Sequence, residues 1–473
     1  MMNYDIHIEN LGAIEKADIT ITPLTILAGE NGTGKSFVTK FLYSILNVTI
    51  LDVFSNELNL LHLDINNNIS RIIDFIGSRG FNVRKLDVII NLKEHVEELL
   101  HELKSNNKYR LIYVDSETFE STKNSIKLFK DTFSDAINSL EELGKEESNK
   151  DFDNLILKYT TRILSNNLDM LLFAIEEPKH YFIKIIEDNI ENELKSNFQV
   201  SEISMLVKKD SKEAIFNIKN IIKINISKDN SVKASFHEEK LLNNNKVNRV
   251  IFFESPVYWK LLPIIDNKDN VQKYVSNLIS NERLTGVPKH FLDLKELLFA
   301  NFKDGERPDF IIKCADELES KLQGKFRATN SDLTFENSKG QSISKSLVSF
   351  GMTNLGIFQA VLSKNIINKG SFVFIDEPES NLHPEWQAIL ANVLVELAKN
   401  GVYVIVTTHS SDMLKAFEIS TQEQKVSDEL STYYFQTDGT LLAMDDEDLS
   451  PIEQARKKLL ETYENLMIRG YLL

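Results

Sequence analysis

Residues Gly29-Glu30-Asn31-Gly32-Thr33-Gly34-Lys35-Ser36 decide the fold of this chain. The stretch begins where an apolar burst, Leu24, Ile26 and Leu27, stops, and an apolar helical pattern runs on from Phe37 to about Leu46. A Gly-x4-Gly-Lys-Ser loop between a strand and a helix is the arrangement that cradles phosphate. Its glycines let backbone amides approach the phosphates and point inward, so Asn31, Gly32, Thr33 and Gly34 are expected to line the cradle. Lys35 would neutralise β/γ-phosphate charge, and Ser36 would ligate Mg²⁺. The competing reading, a glycine-rich turn without a ligand, does not account for the strand before and the helix after.

Upstream, Ile6 and Ile8, then Ile14, Ile19 and Ile21, recur at short alternating spacing, which with the burst at Leu24 predicts three short strands over 5–28. Downstream, roughly 50–197 is helical in pattern and nearly free of Gly and Pro, as in Val96–Leu103 and Leu168–Ile175. No sustained heptads occur, which argues against a long coiled coil. Alternation returns over 202–236, with a hairpin turn expected at Asp229-Asn230, and Val250–Phe253 reads as a buried strand. Helices then run to about Leu322, and two polar-alternating strands lie near Phe326–Thr329 and Leu333–Phe335.

The second chemical motif is Phe372-Val373-Phe374-Ile375-Asp376-Glu377. Four apolar residues suit a parallel strand buried on both faces, with the carboxylates at its C-terminal end, where open α/β sheets bind ligands. Beside the phosphate loop, Asp376 would hold the Mg²⁺ shell and Glu377 would orient and deprotonate an attacking water. Pro384 opens a helix that Asn400-Gly401 closes, and Val402–Thr408 forms another buried strand ending at His409. A histidine there can reach a γ-phosphate oxygen. A lone one would more often cap the next turn, but its place one strand after the Asp-Glu pair favours the phosphate.

Four segments together, GENGTGKS, LVSFGMTNL, FVFIDEPESNLHPEWQ and VIVTTHSSDML, resemble the heads of the ABC/SMC/RecF ATPase superfamily. They are most similar to its AAA-15/AAA-21 branch, which includes the overcoming-lysogenization-defect nucleases and several antiphage ATPases. The resemblance covers roughly 1–48 and 200–445. It implies an α/β fold: an ABC-type P-loop ATPase head, a mixed sheet plus an antiparallel β subdomain, with an inserted α-helical arm. The implied division is 1–48 and 200–445 for the head, 49–199 for the arm, and 446–473 for a C-terminal helix opened by a capping box at Ser450-Pro451-Ile452-Glu453. It also implies that Ser349 and Gly351 contact the γ-phosphate held by a second copy, although Phe350 and Met352 depart from the signature pattern. Asn381 and His383 fall in a stretch that crosses such an interface. No secure glutamine follows Phe253, where Glu254-Ser255-Pro256 stands.

The implied activity is ATP hydrolysis with Mg²⁺, catalysed by Glu377 and His409, in a homodimer or higher oligomer that sandwiches ATP between heads. Within that branch, the resemblance to Septu or PARIS ATPase subunits implies a slow sensor that controls a separately encoded nuclease or toxin, docked on the arm. The alternative is a RecF/SMC-like DNA repair clamp. The net charge of −16 over 473 residues speaks against extensive DNA contact. The span from Ser36 to Ser349 is too long for a transporter subunit. No run of about 20 apolar residues occurs, and the N-terminus lacks the order of a signal peptide, so the expected location is the cytoplasm, away from membranes. One cysteine, Cys314, excludes an internal disulfide framework and reads as an ordinary thiol. In the arm, Glu94, Glu97, Glu98, Glu141 and Glu142 read as a solvated face, and Phe152, Tyr159 and Phe173 as core.

Overall fold

The computed structural model describes residues 2–50, 53–77, 124, 127, 151–236, 249–254, 256–265, 286–300, 307–329, 332–426 and 429–471. They divide into two compact units, Met1–Ile50 with Asn189–Leu473, and Leu51–Asp188.

The first unit opens with three strands, β1 (Tyr4–Leu11), β2 (Ile14–Ile21) and β3 (Leu24–Gly29), followed by helix α1 (Lys35–Ile50). The second unit holds α2 (Val53–Gly77) and α3 (Asp151–Glu176), and α4 (Pro178–Phe198) returns the chain to the first unit. There follow β4 (Glu213–Ile218), β5 (Ile222–Ser227), β6 (Val232–Phe236), β7 (Val250–Phe253), α5 (Val257–Ile265), α6 (Lys289–Phe299) and α7 (Asp309–Leu322). Next come β8 (Gly324–Thr329), β9 (Asp332–Asn337), β10 (Ser342–Ser344) and α8 (Phe350–Ser363). The chain ends with β11 (Phe372–Asp376), α9 (Pro384–Lys399), β12 (Tyr403–Thr408), α10 (Ser411–Gln424), β13 (Leu430–Phe435) and α11 (Pro451–Tyr471).

The fold is α/β, as expected. A parallel sheet in the order β13-β3-β12-β11-β7 forms its centre. Its strands β3, β7 and β12 are buried at every position, which is what uninterrupted apolar runs require when both faces are covered. An antiparallel sheet in the order β2-β1-β4-β5-β6 stands beside it, and its strands alternate buried residues with partly or fully exposed ones. The turn at Asp229-Asn230 links β5 to β6: the Asp229 carboxylate accepts the Ser231 amide at 3.0 Å, and Asn230 takes the left-handed conformation. Where two strands were expected, β8 and β9, a third short one, β10, pairs with β9. The Glu453 carboxylate accepts the Ser450 amide at 2.9 Å, so the capping box opens α11.

In the second unit α2 and α3 pack together, and Leu61, Ile65, Ile69 and Ile72 on one helix and Leu164, Leu168, Leu171 and Leu172 on the other are buried. The expectation of core aromatics fails at Tyr159 and Phe173, while the Phe152 side chain lies outside the described residues. Tyr159 is 65% exposed and Phe173 is 36% exposed, because neither lies on the leucine stripe that α3 turns inward. Val96–Leu103 and the glutamates at 94, 97, 98, 141 and 142 lie outside the described residues. Cys314 is buried, and burial pushes its thiol up to about 12, so it stays protonated. Among the described residues, no helix is long and apolar enough to cross a membrane.

This topology sets the site. The central strands run parallel, so the ends of β3, β12, β11 and β7 share one edge in that order. Gly29, His409, Glu377 and Glu254 are, respectively, the last residue of β3 and the first residues after the others.

Candidate functional site

The loop from Gly29 to Ser36 leaves β3 and enters α1 through backbone that only glycine tolerates. Gly34 has φ +98°, and a Cβ there would meet Ile14 Cγ1 at 2.8 Å. Asn31 and Gly32 are exposed, while Thr33 and Lys35 are buried. The Thr33 hydroxyl donates to the Glu30 carbonyl at 2.9 Å and closes the loop. The Lys35 ammonium donates to the carbonyls of Gly29 (2.9 Å) and Glu30 (2.7 Å), so it arches over the loop. Burial lowers its pKa, and the charges of Glu377, Asp376, Glu379 and Glu30 pull the other way. A cation surrounded by carboxylates at the mouth of an amide-lined loop can receive a polyanion.

Ser36 reaches the neighbouring elements. Its hydroxyl donates to Asp376 Oδ1 at 2.8 Å, joining the start of α1 to the end of β11. The Thr407 hydroxyl donates to the same oxygen, because Asp376 and Thr407 are register partners in the sheet. Burial raises the Asp376 pKa against those two hydrogen bonds. The next residue, Glu377, takes a left-handed backbone conformation, φ +49°, with its amide donating to the Thr407 carbonyl at 3.1 Å. A non-glycine residue held there stores strain, and such positions cluster at functional sites. Its carboxylate lies 3.3 Å from His409 Nδ1.

Lys35, Ser36, Asp376, Glu377 and His409, expected to act together, therefore lie together. Ser349 and Gly351 are held by other contacts. The Ser349 hydroxyl caps α8 by accepting the Met352 amide at 3.3 Å. Gly351 is required by a close approach within the chain, since a Cβ there would meet the Asn381 carbonyl oxygen at 2.4 Å. His383 caps α9 through its ring nitrogen, which accepts the Glu385 amide at 3.3 Å.

Residues 2–414 match the AAA ATPase domain family AAA_15. The chain belongs to that family. No curated protein matches this AAA_15 chain. Solved structures similar to it include the Smc head domain with an extended coiled coil bound to the C-terminal domain of ScpA from Pyrococcus furiosus, at 11% identity and TM-score 0.40, covering 98% of this chain and 100% of that one. Another is the ADP conformation of MJ1267, an ATP-binding cassette of an ABC transporter, at 10% identity and TM-score 0.32, covering 98% and 99%. At these scores the likeness carries no weight.

The AAA_15 site also contains groups that sequence reasoning missed. Glu254, at the end of β7, accepts from Lys40 Nζ at 2.5 Å and pairs with His290 Nε2 at 2.8 Å. Burial pushes its carboxyl up, but His290 and Lys40 outweigh it and hold the group at about 2. His290 continues inward to Asn197, whose amide donates to Ser44 Oγ at 2.9 Å. This buried chain ties α1, α4, α6 and β7 together. Glu379 accepts the Thr408 hydroxyl and the His409 amide. Nothing in the local sequence separates these glutamates from surface ones. Only the contact with distant Lys40, or with the end of β12, does so.

Proposed function

We propose that this AAA_15 chain binds ATP on the loop Asn31–Ser36 and hydrolyses it slowly, as an ABC-type head that pairs with a second copy. The observation that carries the reading is the Ser36–Asp376 hydrogen bond at 2.8 Å, with Glu377 and His409 directly beside it. The amides of Asn31, Gly32, Thr33 and Gly34 take the phosphates, and Lys35 offsets their charge. Ser36 and Asp376 present hard oxygen donors side by side, a set that fits Mg²⁺. They would hold that ion, which when bound neutralises charge on the β- and γ-phosphates. Glu377 orients water and accepts its proton as the new oxygen–phosphorus bond forms and the bond to the ADP oxygen breaks. His409 hydrogen-bonds a γ-phosphate oxygen, and Ser349 and Gly351 face the triphosphate held by the partner copy.

At the level of biology, the reading is a sensor and scaffold of a cytoplasmic antiphage complex that controls a separately encoded nuclease or toxin. Its support is the sequence resemblance, together with a second compact unit, Leu51–Asp188, inserted directly after the phosphate-loop helix. The net charge of −16 weighs against a RecF/SMC-like repair clamp.

ATP turnover by the purified protein tests the chemistry. Lys35→Ala abolishes it, and Glu377→Gln with ATP gives a species of doubled mass on sizing. Turnover that persists in Lys35→Ala, or no mass change in Glu377→Gln, refutes the reading. Double-stranded DNA that stimulates ATPase at moderate salt favours the repair clamp over the defence role.

A further inference from the structure

Glu379 sits three residues beyond Asp376 with its side chain only 6% exposed, whereas Glu377 and His409 beside it are 37% and 38% exposed. Its Oε1 accepts the Thr408 hydroxyl at 2.7 Å and the His409 amide at 3.0 Å, and lies 3.5 Å from His409 Nδ1. Among the described residues, its buried Oε2 has no hydrogen-bond partner. A buried polar atom left unpaired costs on the order of 1–3 kcal/mol, so fold stability alone does not explain a glutamate here.

The local backbone explains how two glutamates reach one imidazole. Glu377 in its left-handed conformation reverses the chain, and the Ser380 amide donates to its carbonyl at 3.0 Å. The last two residues of β12 point to opposite sides. Thr407 serves Asp376, and Thr408 serves Glu379. His409 Nδ1 thus faces Glu377 at 3.3 Å and Glu379 at 3.5 Å, and one N–H satisfies only one of them well.

The geometry points to Glu379 as a positioning residue for ATP hydrolysis, holding the Nδ1 edge of His409 so that Glu377 is free to orient water. This rests on the ATPase reading above. Glu379 makes its polar contacts with the Thr408 hydroxyl, the His409 amide and the His409 ring. It acts through His409, as a rigid acceptor fixed from β12 on the buried side of a more exposed pair. Carboxylates that orient metal-bound histidines are worth about 10–100-fold in activity, and an effect of that order is expected here.

The test is a cycle of steady-state kinetics on the full chain with Mg-ATP: wild type, Glu379→Gln, His409→Ala and the double variant, each with its unfolding temperature. Gln keeps the Oε1 acceptor for Thr408 and the His409 amide. The expected result is a fall in kcat of about 10–100-fold in Glu379→Gln, with KM unchanged and an unfolding temperature no lower than wild type. The double variant turns over no more slowly than the slower single variant, because both changes remove one unit. A Glu379→Gln kcat within twofold of wild type overturns the inference, as does a double variant whose loss is the product of the two single losses. Should Glu379→Gln fail to fold, Thr408→Val carries the test: it loosens the anchor and lowers kcat several-fold at constant KM, and an unchanged kcat overturns the inference. A wild-type protein without turnover overturns the ATPase reading itself, whereas an active wild type with a fully active Glu379→Gln overturns only this inference.

Discussion

Replacing Glu254 with Gln tests the buried chain that links β7 to the phosphate-loop helix. His290 and Lys40 hold the Glu254 carboxyl at about 2, against an ordinary value of 4.5. At 1.36 kcal/mol per unit, that difference is worth about 3 kcal/mol at neutral pH. The figure is an upper bound for the variant, because Gln keeps one acceptor oxygen. The folded-state value is depressed, so the stabilisation is fully present above the ordinary value and is lost as pH falls toward 2. Integrating the same linkage, about a quarter of it is gone at pH 4 and more than half at pH 3. A head of this size unfolds with an entropy near 0.7 kcal/mol/K, so the full effect lowers its unfolding temperature by about 4 °C. Thermal unfolding of both proteins should show that gap at pH 7, constant down to about pH 5.5 and narrower at pH 4. Equal unfolding temperatures at pH 7 would rule out a stabilising Glu254 charge. So would a gap that keeps its full size below pH 4, since the effect would then not come from the charge.

Asp376 gives the opposite sign. Burial raises its pKa, so its charge opposes folding at pH values above that raised value, and the penalty vanishes below the ordinary range. Asp376→Asn keeps an acceptor for Ser36 and Thr407, and should raise the stability of the nucleotide-free protein by about 1 kcal/mol at pH 7 while abolishing ATP turnover; a drop in unfolding temperature contradicts this. Ser349 separates capping from pairing. Ser349→Ala costs about 1 kcal/mol of stability through the lost α8 cap. Ser349→Asp keeps the cap but sets a carboxylate against the partner copy's triphosphate, so in the Glu377→Gln background it should unfold near the parent temperature yet remain a monomer with ATP. A full dimer there removes Ser349 from the interface.

Features that depend on neighbours along the chain were legible in the amino-acid order alone. Strand, glycine loop and helix follow one another within β3 and α1, so the phosphate loop was legible from spacing alone. The same holds for the apolar strand that ends in Asp376-Glu377, the proline that starts α9, and the Asp229-Asn230 turn. The helical pattern of α3 was equally plain, but which of its aromatics faced inward was not, because that depends on what packs against it. Tyr159 and Phe173 lie outside the core for that reason. Tertiary structure decided the rest. The order β13-β3-β12-β11-β7 brings Thr407 beside Asp376, places His409 between Glu377 and Glu379, and sets Lys40 against Glu254 across more than two hundred residues. A carboxylate's partner, burial and pKa come from strand register and helix docking, which arise through contacts between distant segments. Local pattern carries no record of them.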